Sequence, residues 1–197
     1  MKLMKNAYIM QPNESNYGVV EQNDMLLARS MHAVHAFDNR VYVFGGKDSH
    51  RIAMDNFEFF NLEKNVWTTL PNLPKLMERI SVTEVDRSFY FTDFYSRIVF
   101  SYDVDASTFS RINLLLPQTE SKLLASVPNS SLLMVFCGSK FITVDIRKGK
   151  KVLSQQDTTV DEPFWSNCPG FYADDHICFV NKCYPQRFNI NTLKVSS

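Results

Sequence analysis

Residues 40–67, RVYVFGGKDSHRIAMDNFEFFNLEKNVW, contain the pattern that decides the fold. A short apolar β run ends at Gly45-Gly46, and a second β run covers Phe57 to Leu62. Within that run Asn61 is followed by an aliphatic residue, and then come three turn residues, one variable residue and the large aromatic Trp67. Alternating apolar runs that stop at Gly and turn residues predict β-strands. We take Asn61 as the marker of this unit and ask where the unit recurs.

An amide or carboxylate recurs at equivalent positions about every 42–50 residues, as a tandem repeat requires. The markers are Gln11, Asn61, Asp103, Asp145 and Asn189. The third turn residue after each marker is Ser15, Asn65, Ser107, Gly149 and Leu193. Gly and Asn suit that place because they enter left-handed backbone at little cost. The aromatic position holds Tyr17, Trp67 and Phe109 and is lost in the last two copies, so the repeat decays toward the C-terminus.

Another hairpin precedes each of the last four markers, which gives every repeat four short antiparallel strands, a to d. The predicted a–b turns are Asp38-Asn39, Asp86-Arg87, Asn129-Ser130 and Asp174-Asp175. Four-stranded units in tandem cover one another when they stack around an axis, as in a β-propeller. In that arrangement Trp67 is expected to wedge between neighbouring sheets. A sandwich of two sheets is the alternative, because it has similarly frequent turns.

These residues resemble a kelch repeat, in which a strand ends in a Gly doublet and is followed by two spaced aromatics, Pro-x-x-Pro and an Arg. The matching residues are Gly45-Gly46, Phe60, Trp67, residues 71–74, Arg79, and Arg29 before the first repeat. The resemblance is specific over residues 29–79. The doublet is replaced by Asp93-Phe94, reduced to Cys137-Gly138 and replaced again by Asn181-Lys182, so we expect an irregular turn there in the later repeats.

The resemblance implies an all-β, kelch-like β-propeller of about four blades plus a half blade, forming an open arc or incomplete ring. We expect one such region over residues 1–197. The half blade covers residues 1–28, and the blades cover about 29–75, 76–117, 118–160 and 161–197. The alternative is that the chain is a piece of a longer protein. Terminal sheets of an open arc expose strand edges, so a partner is expected to cover them.

Composition excludes several classes of partner. Lys+Arg and Asp+Glu are 21 each, without a basic stripe, which argues against nucleic acid or an anionic membrane surface. No apolar run reaches the ~20 residues of a membrane span, and the N-terminal residues lack a secretory signal. The cysteines Cys137, Cys168, Cys178 and Cys183 form no CxxC pair, which favours free thiols and a cytoplasmic location.

No motif of an established catalytic chemistry is present, so we expect no catalytic residues, no cofactor and no metal. His32 and His35 lie three apart on a strand and face opposite sides, which makes them a poor metal pair. A zinc site near Cys178 and Cys183 needs two further ligands, and only Cys168 and His176 are near in sequence. Kelch-like propellers include a copper oxidase, but its Tyr/His/Cys constellation has no match here.

Binding to other proteins is the better prediction, because long loops on a rigid sheet carry contact sites. We expect the b–c and d–a loops to form the contact face, with these partner-binding residues: Lys47, Asp48, His50, Arg51, Tyr95, Arg97, Trp165 and Tyr184. The resemblance implies a non-catalytic scaffold or adaptor, for example in a cytoskeletal or ciliary assembly. Substrate recognition for a cullin ubiquitin ligase is an alternative. A propeller enzyme with a site on its axis is the alternative of another class.

Overall fold

The computed structural model describes residues 5–12, 17–112, 114, 116–117, 122–147, 151–157, 171–173, 176–181, 184–189 and 194–196. In these ranges the chain forms β-strands and no helix. The strands are β1 Ala7–Pro12, β2 Tyr17–Gln22, β3 Ala33–Phe37, β4 Arg40–Phe44, β5 Phe57–Asn61, β6 Val66–Thr69, β7 Ile80–Val85, β8 Ser88–Asp93, β9 Val99–Asp103, β10 Thr108–Ile112, β11 Lys122–Ser126, β12 Leu132–Cys137, β13 Lys140–Asp145, β14 Lys151–Asp157, β15 Phe171–Ala173, β16 His176–Asn181, β17 Tyr184–Asn189 and β18 Lys194–Ser196.

The strands form one two-stranded sheet, β1–β2, and four sheets of four strands. All pairs are antiparallel, and within each four-stranded sheet the spatial order follows the chain order a, b, c, d. The predicted all-β class and the repeat of four antiparallel strands are confirmed. The chain divides into two compact units, Met1–Glu78 with β1–β6 and Arg79–Ser197 with β7–β18.

The predicted a–b turns of the first two four-stranded sheets are confirmed. Asp38 and Asn39 have φ of 51° and 57°, and Asp86 and Arg87 have φ of 49° and 60°. Two successive positive φ values define the turn whose twist matches a two-residue hairpin. In the third sheet the connection is longer than predicted and covers residues 127–131, with Asn129 at φ 57°. The predicted turn Asp174-Asp175 lies outside the described residues.

Four of the five markers occupy one structural position, the last residue of strand c: Asn61, Asp103, Asp145 and Asn189 end β5, β9, β13 and β17. The chemical reason is visible in the turn that follows. Oδ1 of Asn61 accepts hydrogen bonds from the amides of Glu63 at 3.0 Å and Lys64 at 2.9 Å. Oδ1 of Asp103 accepts from Asp105 and Ala106 at 3.0 and 2.8 Å. A short side chain with an acceptor oxygen is needed to close such a turn.

Asp145 and Gln11 fit this turn pattern less completely. Oδ1 of Asp145 accepts from the amide of Arg147 at 3.1 Å and from Oγ of Ser131 at 2.9 Å. Gln11 lies in β1 opposite Gly18, one residue before the end of that strand. The predicted left-handed turn residues Asn65 and Ser107 have φ of 52° and 54°. Ser15, Gly149 and Leu193 lie outside the described residues.

Strand a of each sheet in the second unit lies against strand a of the next, so that β11 contacts both β7 and β15. The amide of Leu124 donates to Oγ of Ser81 at 2.8 Å, and Oγ1 of Thr83 donates to Oγ of Ser126 at 3.0 Å. A buried apolar cluster surrounds these polar contacts: Val85, Tyr90, Val99, Ile112, Leu114, Leu116, Leu124, Leu133, Val135, Cys137, Ile142 and Val144. Burial of these side chains supplies the main stabilisation of the unit.

The b–c connections differ from the prediction that all of them are long. The first covers residues 45–56 and the second residues 94–98, whereas the third and fourth cover only 138–139 and 182–183. At the second, where the Gly doublet is replaced, the buried Lys122 donates from Nζ to the carbonyl oxygen of Phe94 at 2.7 Å. A lysine of the following sheet thus satisfies a carbonyl at this turn. At the third, Gly138 alone has a positive φ of 58°.

The outermost strand β6 carries Trp67, which we predicted to wedge between sheets. Its ring is half-buried, not enclosed, with its centroid 5.1 Å from that of Phe60. Nε1 donates to the carbonyl oxygen of Asn23 at 2.7 Å, on the segment that joins β2 to β3. The ring therefore fastens the lead-in segment to the sheet, as a partly polar aromatic residue does at a boundary.

Candidate functional site

The first loop, which we define as residues Gly45–Asn56 between β4 and β5, is held by backbone hydrogen bonds along its length. The amide of Ser30 donates to the carbonyl of Lys47 at 3.0 Å, and the amide of Lys47 donates back at 2.7 Å. The amide of Met54 donates to the carbonyl of Gly46 at 2.8 Å. A loop whose polar backbone is satisfied internally loses little entropy when it meets a partner.

The tip of the first loop, which we define as His50, Arg51 and Ile52, is folded around Asp48. Oδ1 of Asp48 accepts from the amides of His50 at 2.8 Å and Ile52 at 2.9 Å. The hydrogen bond from the Ile52 amide is the main reason that the pKa of Asp48 lies below its usual value. Arg51 has a positive φ of 64°. Asp48 therefore shapes the tip, and the tip residues His50, Arg51 and Ile52 are exposed to solvent.

Exposure at the tip is high for an ordered loop. The His50 side chain is 80% exposed, Ile52 is 58% exposed and Arg51 is exposed. An aliphatic side chain beside an Arg on a fixed backbone has the character of an interface anchor. Our sequence analysis selected His50 and Arg51 but missed Ile52, the first residue of the apolar run Ile52-Ala53-Met54 in an otherwise polar loop.

Lys47 was predicted to contact a partner, but the structure gives it an internal role. Its Nζ lies 2.6 Å from Oε2 of Glu78, and Glu78 is buried. A buried carboxylate needs a cationic partner, so detaching Lys47 would leave Glu78 uncompensated. We therefore remove Lys47 from the predicted contact residues.

A buried ion pair lies beneath the first loop. Nη2 of Arg29 is 2.8 Å from Oε1 of Glu58, and the two side chains are 0% and 3% exposed. Nη1 of Arg29 donates to the carbonyl oxygens of Gly45 at 3.0 Å and Asn56 at 3.1 Å, the two ends of the loop. One guanidinium thus closes the loop at its base. The sequence signal for Glu58 was its place as the single charge in the run FEFFN.

Burial shifts the pKa of both partners in the direction that disfavours their charges. It lowers the pKa of Arg29 and raises the pKa of Glu58, and in each case the attraction of the partner opposes the shift. The attraction between the two charges thus offsets part of the cost of burying them. Neither residue contacts solvent, so this pair positions the loop and does not itself bind a partner.

Arg79 is not the structural equivalent of Arg29, which corrects our sequence alignment. Met31 and Arg79 have φ of 53° and 49° and each lies seven residues before the first residue of an a–b turn, Asp38 or Asp86. The buried Met77 therefore takes the place of Arg29 in the next repeat. The guanidinium of Arg79 lies 5.1 Å over the ring of Phe94.

His32, directly before strand β3, and His35, within it, are both half-buried. Desolvation is the main cause that lowers the pKa of both His32 and His35, and the nearby Arg29 lowers that of His32 further. Burial thus favours the neutral form of both rings in the folded protein. The unfolded chain binds protons at these sites more readily than the folded chain does.

We expect the free energy of unfolding to decrease as the pH falls below about 6.5. A folded-state pKa below the unfolded value means that this stability is fully present above pH ~6.5 and is lost as pH falls through the folded pKa values. Urea titrations at several pH values between about 7.5 and 5.5 measure it. The double variant His32→Gln, His35→Gln should show a smaller decrease than wild type, and His50→Gln at the exposed ring should not. Parallel profiles for all three proteins would contradict this expectation.

In the second unit, the second loop, residues 94–98, carries Tyr95 and Arg97. Tyr95 is 67% exposed, and its ring centroid is 5.0 Å from that of Phe94 in an edge-on contact. Nε of Arg97 donates to the carbonyl oxygen of Leu116 at 3.1 Å, while the residue as a whole is exposed. Both residues are thus exposed on an anchored backbone, and their contact with a partner stays a prediction.

The two remaining predicted contact residues are Trp165 and Tyr184. Trp165 lies outside the described residues. Tyr184 was expected in a long loop, but it is the first residue of β17, because the connection before it covers only residues 182–183. The long loop that we inferred from this stretch is therefore wrong.

The described residues contain no group of three or more His, Cys, Asp and Glu side chains that could hold a metal ion. Cys137 and Cys178 are free thiols, and Cys168 and Cys183 lie outside the described residues. His176 Nε2 lies 3.2 Å from Nδ2 of the marker Asn189, within hydrogen-bond distance. Among the described parts of the chain, no helix is long and apolar enough to cross a membrane.

Comparisons with known proteins identify the region in which the sequence resembles a kelch repeat. Residues 28–74 match the family model described as Kelch motif. Beta-scruin of Limulus polyphemus is 36% identical over 67 residues, which is 34% of this chain and 7% of that protein. Alpha-scruin of the same organism is 41% identical over 54 residues, 27% of this chain and 6% of that protein. The chain thus matches only a small fraction of the length of these relatives.

A solved structure shares the fold over most of the chain. The structure of YjhT aligns with a TM-score of 0.68 at 13% sequence identity, covering 89% of this chain and 66% of that one. At this identity the similarity describes the fold alone.

Proposed function

Because residues 28–74 carry a kelch motif, whose longest loop is closed at its base by a buried ion pair, we propose that this chain is a non-catalytic protein-interaction module. It would act as a scaffold or adaptor in a larger cytoplasmic assembly. The observation that carries this proposal is the first loop, with its hydrogen-bonded backbone and its exposed tip of His50, Arg51 and Ile52. Such a preorganised, solvent-facing surface suits recognition of a protein partner.

The proposed contact surface of the first unit is the loop tip, with Asp48 as the residue that shapes it. In the second unit, Tyr95 and Arg97 form a separate candidate surface. Aromatic and Arg side chains are enriched among the residues that dominate interface energies. A cytoskeletal assembly and a ubiquitin ligase are both compatible partners for such surfaces, and the identity of the captured protein distinguishes them.

Affinity capture with the full chain tests the proposal. The loop-tip variant combines Arg51→Asn with Ile52→Ser, and Asn is chosen because it tolerates the positive φ of 64° at Arg51. The control variant combines Leu62→Ser with Lys64→Asn, at the exposed turn on the opposite end of β5. We expect proteins captured by wild type and by the control, but not by the loop-tip variant. Equal capture by all three would contradict a role for the first loop.

An enzymatic role is the alternative of another class, and a metal analysis of the purified protein separates it from the scaffold proposal. One equivalent of copper, zinc or iron per chain would favour the enzyme. The scaffold proposal expects substoichiometric metal.

A further inference from the structure

Arginines at the two ends of the sheet β7–β10 differ in what they contact. At the end with the a–b turn, Arg87 donates from Nε and Nη2 to the carboxylate of Asp105, at 2.8 Å each. Asp86 in the same turn accepts two hydrogen bonds of 2.7 Å from Arg147 of the next sheet. Both guanidiniums at this end therefore already bind a carboxylate in the two-pronged geometry that suits arginine.

At the end with the second loop, Arg79 and Arg97 have no carboxylate partner among the residues that the structure describes. Arg97 is exposed and Arg79 is half-buried. The carboxylates nearest to them in sequence have other contacts. Asp93 is buried and accepts a hydrogen bond from a backbone amide of the loop, and Glu78 is buried with the Nζ of Lys47 at 2.6 Å. Two cationic side chains thus lie at this end without an opposite charge.

An aromatic contact orients the Arg79 side chain. Its guanidinium lies 5.1 Å over the Phe94 ring, and the Phe94 ring is 5.0 Å from the Tyr95 ring. A guanidinium that contacts a ring through its face keeps its N–H groups available at its edge, where a carboxylate can accept two of them. Tyr95, 67% exposed beside this contact, adds an aromatic surface to the charged one.

The backbone of the second loop is fixed at both ends. Nζ of Lys122 donates to the carbonyl oxygen of Phe94 at 2.7 Å. The amide of Leu116 donates to the carbonyl oxygen of Arg97 at 3.0 Å, and Nε of Arg97 donates back to the carbonyl oxygen of Leu116 at 3.1 Å. A surface that is ordered before it meets a partner loses little entropy on binding.

We propose that the second loop binds an acidic segment of a partner protein, whose carboxylates accept hydrogen bonds from Arg79 and Arg97. This inference rests on the proposed function, since it names the chemistry of the protein partner at the second candidate surface. A carboxylate is favoured because both guanidiniums lack one, whereas the arginines at the turn end already have theirs. An apolar side chain next to the carboxylates of the partner would pack on the Tyr95 ring.

A short synthetic peptide of Glu, Leu and Ser, blocked at both ends, is the probe for this surface. It is titrated from about 10 to 1000 µM into the isotope-labelled full chain, and the amide signals of residues 94–98 are followed by NMR. We expect these signals to shift. The affinity should fall at least about threefold between about 50 and 300 mM NaCl, because salt screens exposed ion pairs. The same peptide with Gln in place of every Glu should bind at least about tenfold more weakly.

Two double variants with the same loss of positive charge locate the site. Arg79→Gln with Arg97→Gln removes the donors at the second loop, and we expect at least about a tenfold loss of peptide affinity. Arg87→Gln with Arg147→Gln removes two arginines at the turn end and should bind the peptide within about twofold of wild type. None of the four side chains is buried, so the circular dichroism spectrum of each variant should match that of wild type.

Equal affinity for the Glu and Gln peptides would overturn the proposal, as would equal losses of affinity in the two double variants. Inorganic phosphate that shifts the same amides at lower concentration than the peptide would assign this surface to a phosphate ligand and exclude the acidic segment. Capture through the first loop is measured with variants of Arg51 and Ile52, so the proposed function can hold where this proposal fails.

Discussion

Replacing Arg29 by Met is expected to lower the free energy of unfolding by about 3–5 kcal/mol, because it leaves a buried carboxylate without its partner. Glu58 is 2% exposed and makes its ion pair with Arg29 at 2.8 Å. The same change removes the donors to the carbonyl oxygens of Gly45 and Asn56, which tie the two ends of the first loop together. Urea titration followed by Trp fluorescence measures the loss.

Two further variants separate the ion pair from the other contacts of Arg29. Arg29→Met with Glu58→Met should recover part of the loss, since an apolar pair removes the uncompensated charge but not the unpaired carbonyls. Arg40→Met is the matched control. The Arg40 guanidinium lies 4.8 Å over the Phe59 ring, and its loss should cost about 1 kcal/mol or less. A loss below about 1 kcal/mol for Arg29→Met would show that the pair is not buried as described.

Replacing Gly46 by Ala is expected to cost about 3 kcal/mol or more, through backbone strain and a steric clash. Gly46 has φ of 106°, which residues with a Cβ rarely adopt. A Cβ there would lie 2.6 Å from the carbonyl oxygen of Ser30 and 3.0 Å from Cβ of His32. Ser30 cannot move away easily, because it is held by two backbone hydrogen bonds with Lys47.

The neighbouring glycine is the control for this prediction. Gly45 has φ of 51°, close to the 52° of Asn65 in the same sheet. Gly45→Asn should therefore cost about 1 kcal/mol or less, since Asn enters the left-handed region readily. The comparison is made by urea titration of the two variants under identical conditions. Equal losses at the two positions would contradict the close approach at Gly46.

The repeat could be predicted from the sequence because its signals are local. Asn61 and Asp103 close turns by accepting hydrogen bonds from amides two and three residues away. The residue type and its spacing from the turn can therefore be recognised in the sequence alone. The positive φ values at Asp38 and Asn39 follow from a two-residue hairpin in the same way.

The candidate site could be predicted only in part, because its decisive contacts are distant in sequence. Arg29 and Glu58 are 29 residues apart, and nothing in the sequence pairs them. Ile52 was missed because its exposure depends on how Asp48 folds the loop tip. Lys47 was assigned to the contact surface because its partner Glu78 is distant in sequence, and nothing in the sequence pairs the two residues. Each error concerns whether a side chain makes contacts within the folded protein or is exposed to solvent.

The b–c loops show the same limit. The sequence predicted the loop at residues 45–56 correctly, since its Gly doublet and charged residues interrupt two strong strands. The stretch around residue 184 was interpreted as a loop, yet Tyr184 opens β17 and pairs with Asn181.

The central claim is that the tip of the first loop is the surface that this chain offers to a protein partner. Its most direct test is the affinity of the captured partner for three purified chains: wild type, Arg51→Asn with Ile52→Ser, and Leu62→Ser with Lys64→Asn. The account predicts that the loop-tip variant binds at least about tenfold more weakly, while the control stays within about twofold of wild type. A loop-tip variant that binds as tightly as wild type would contradict it.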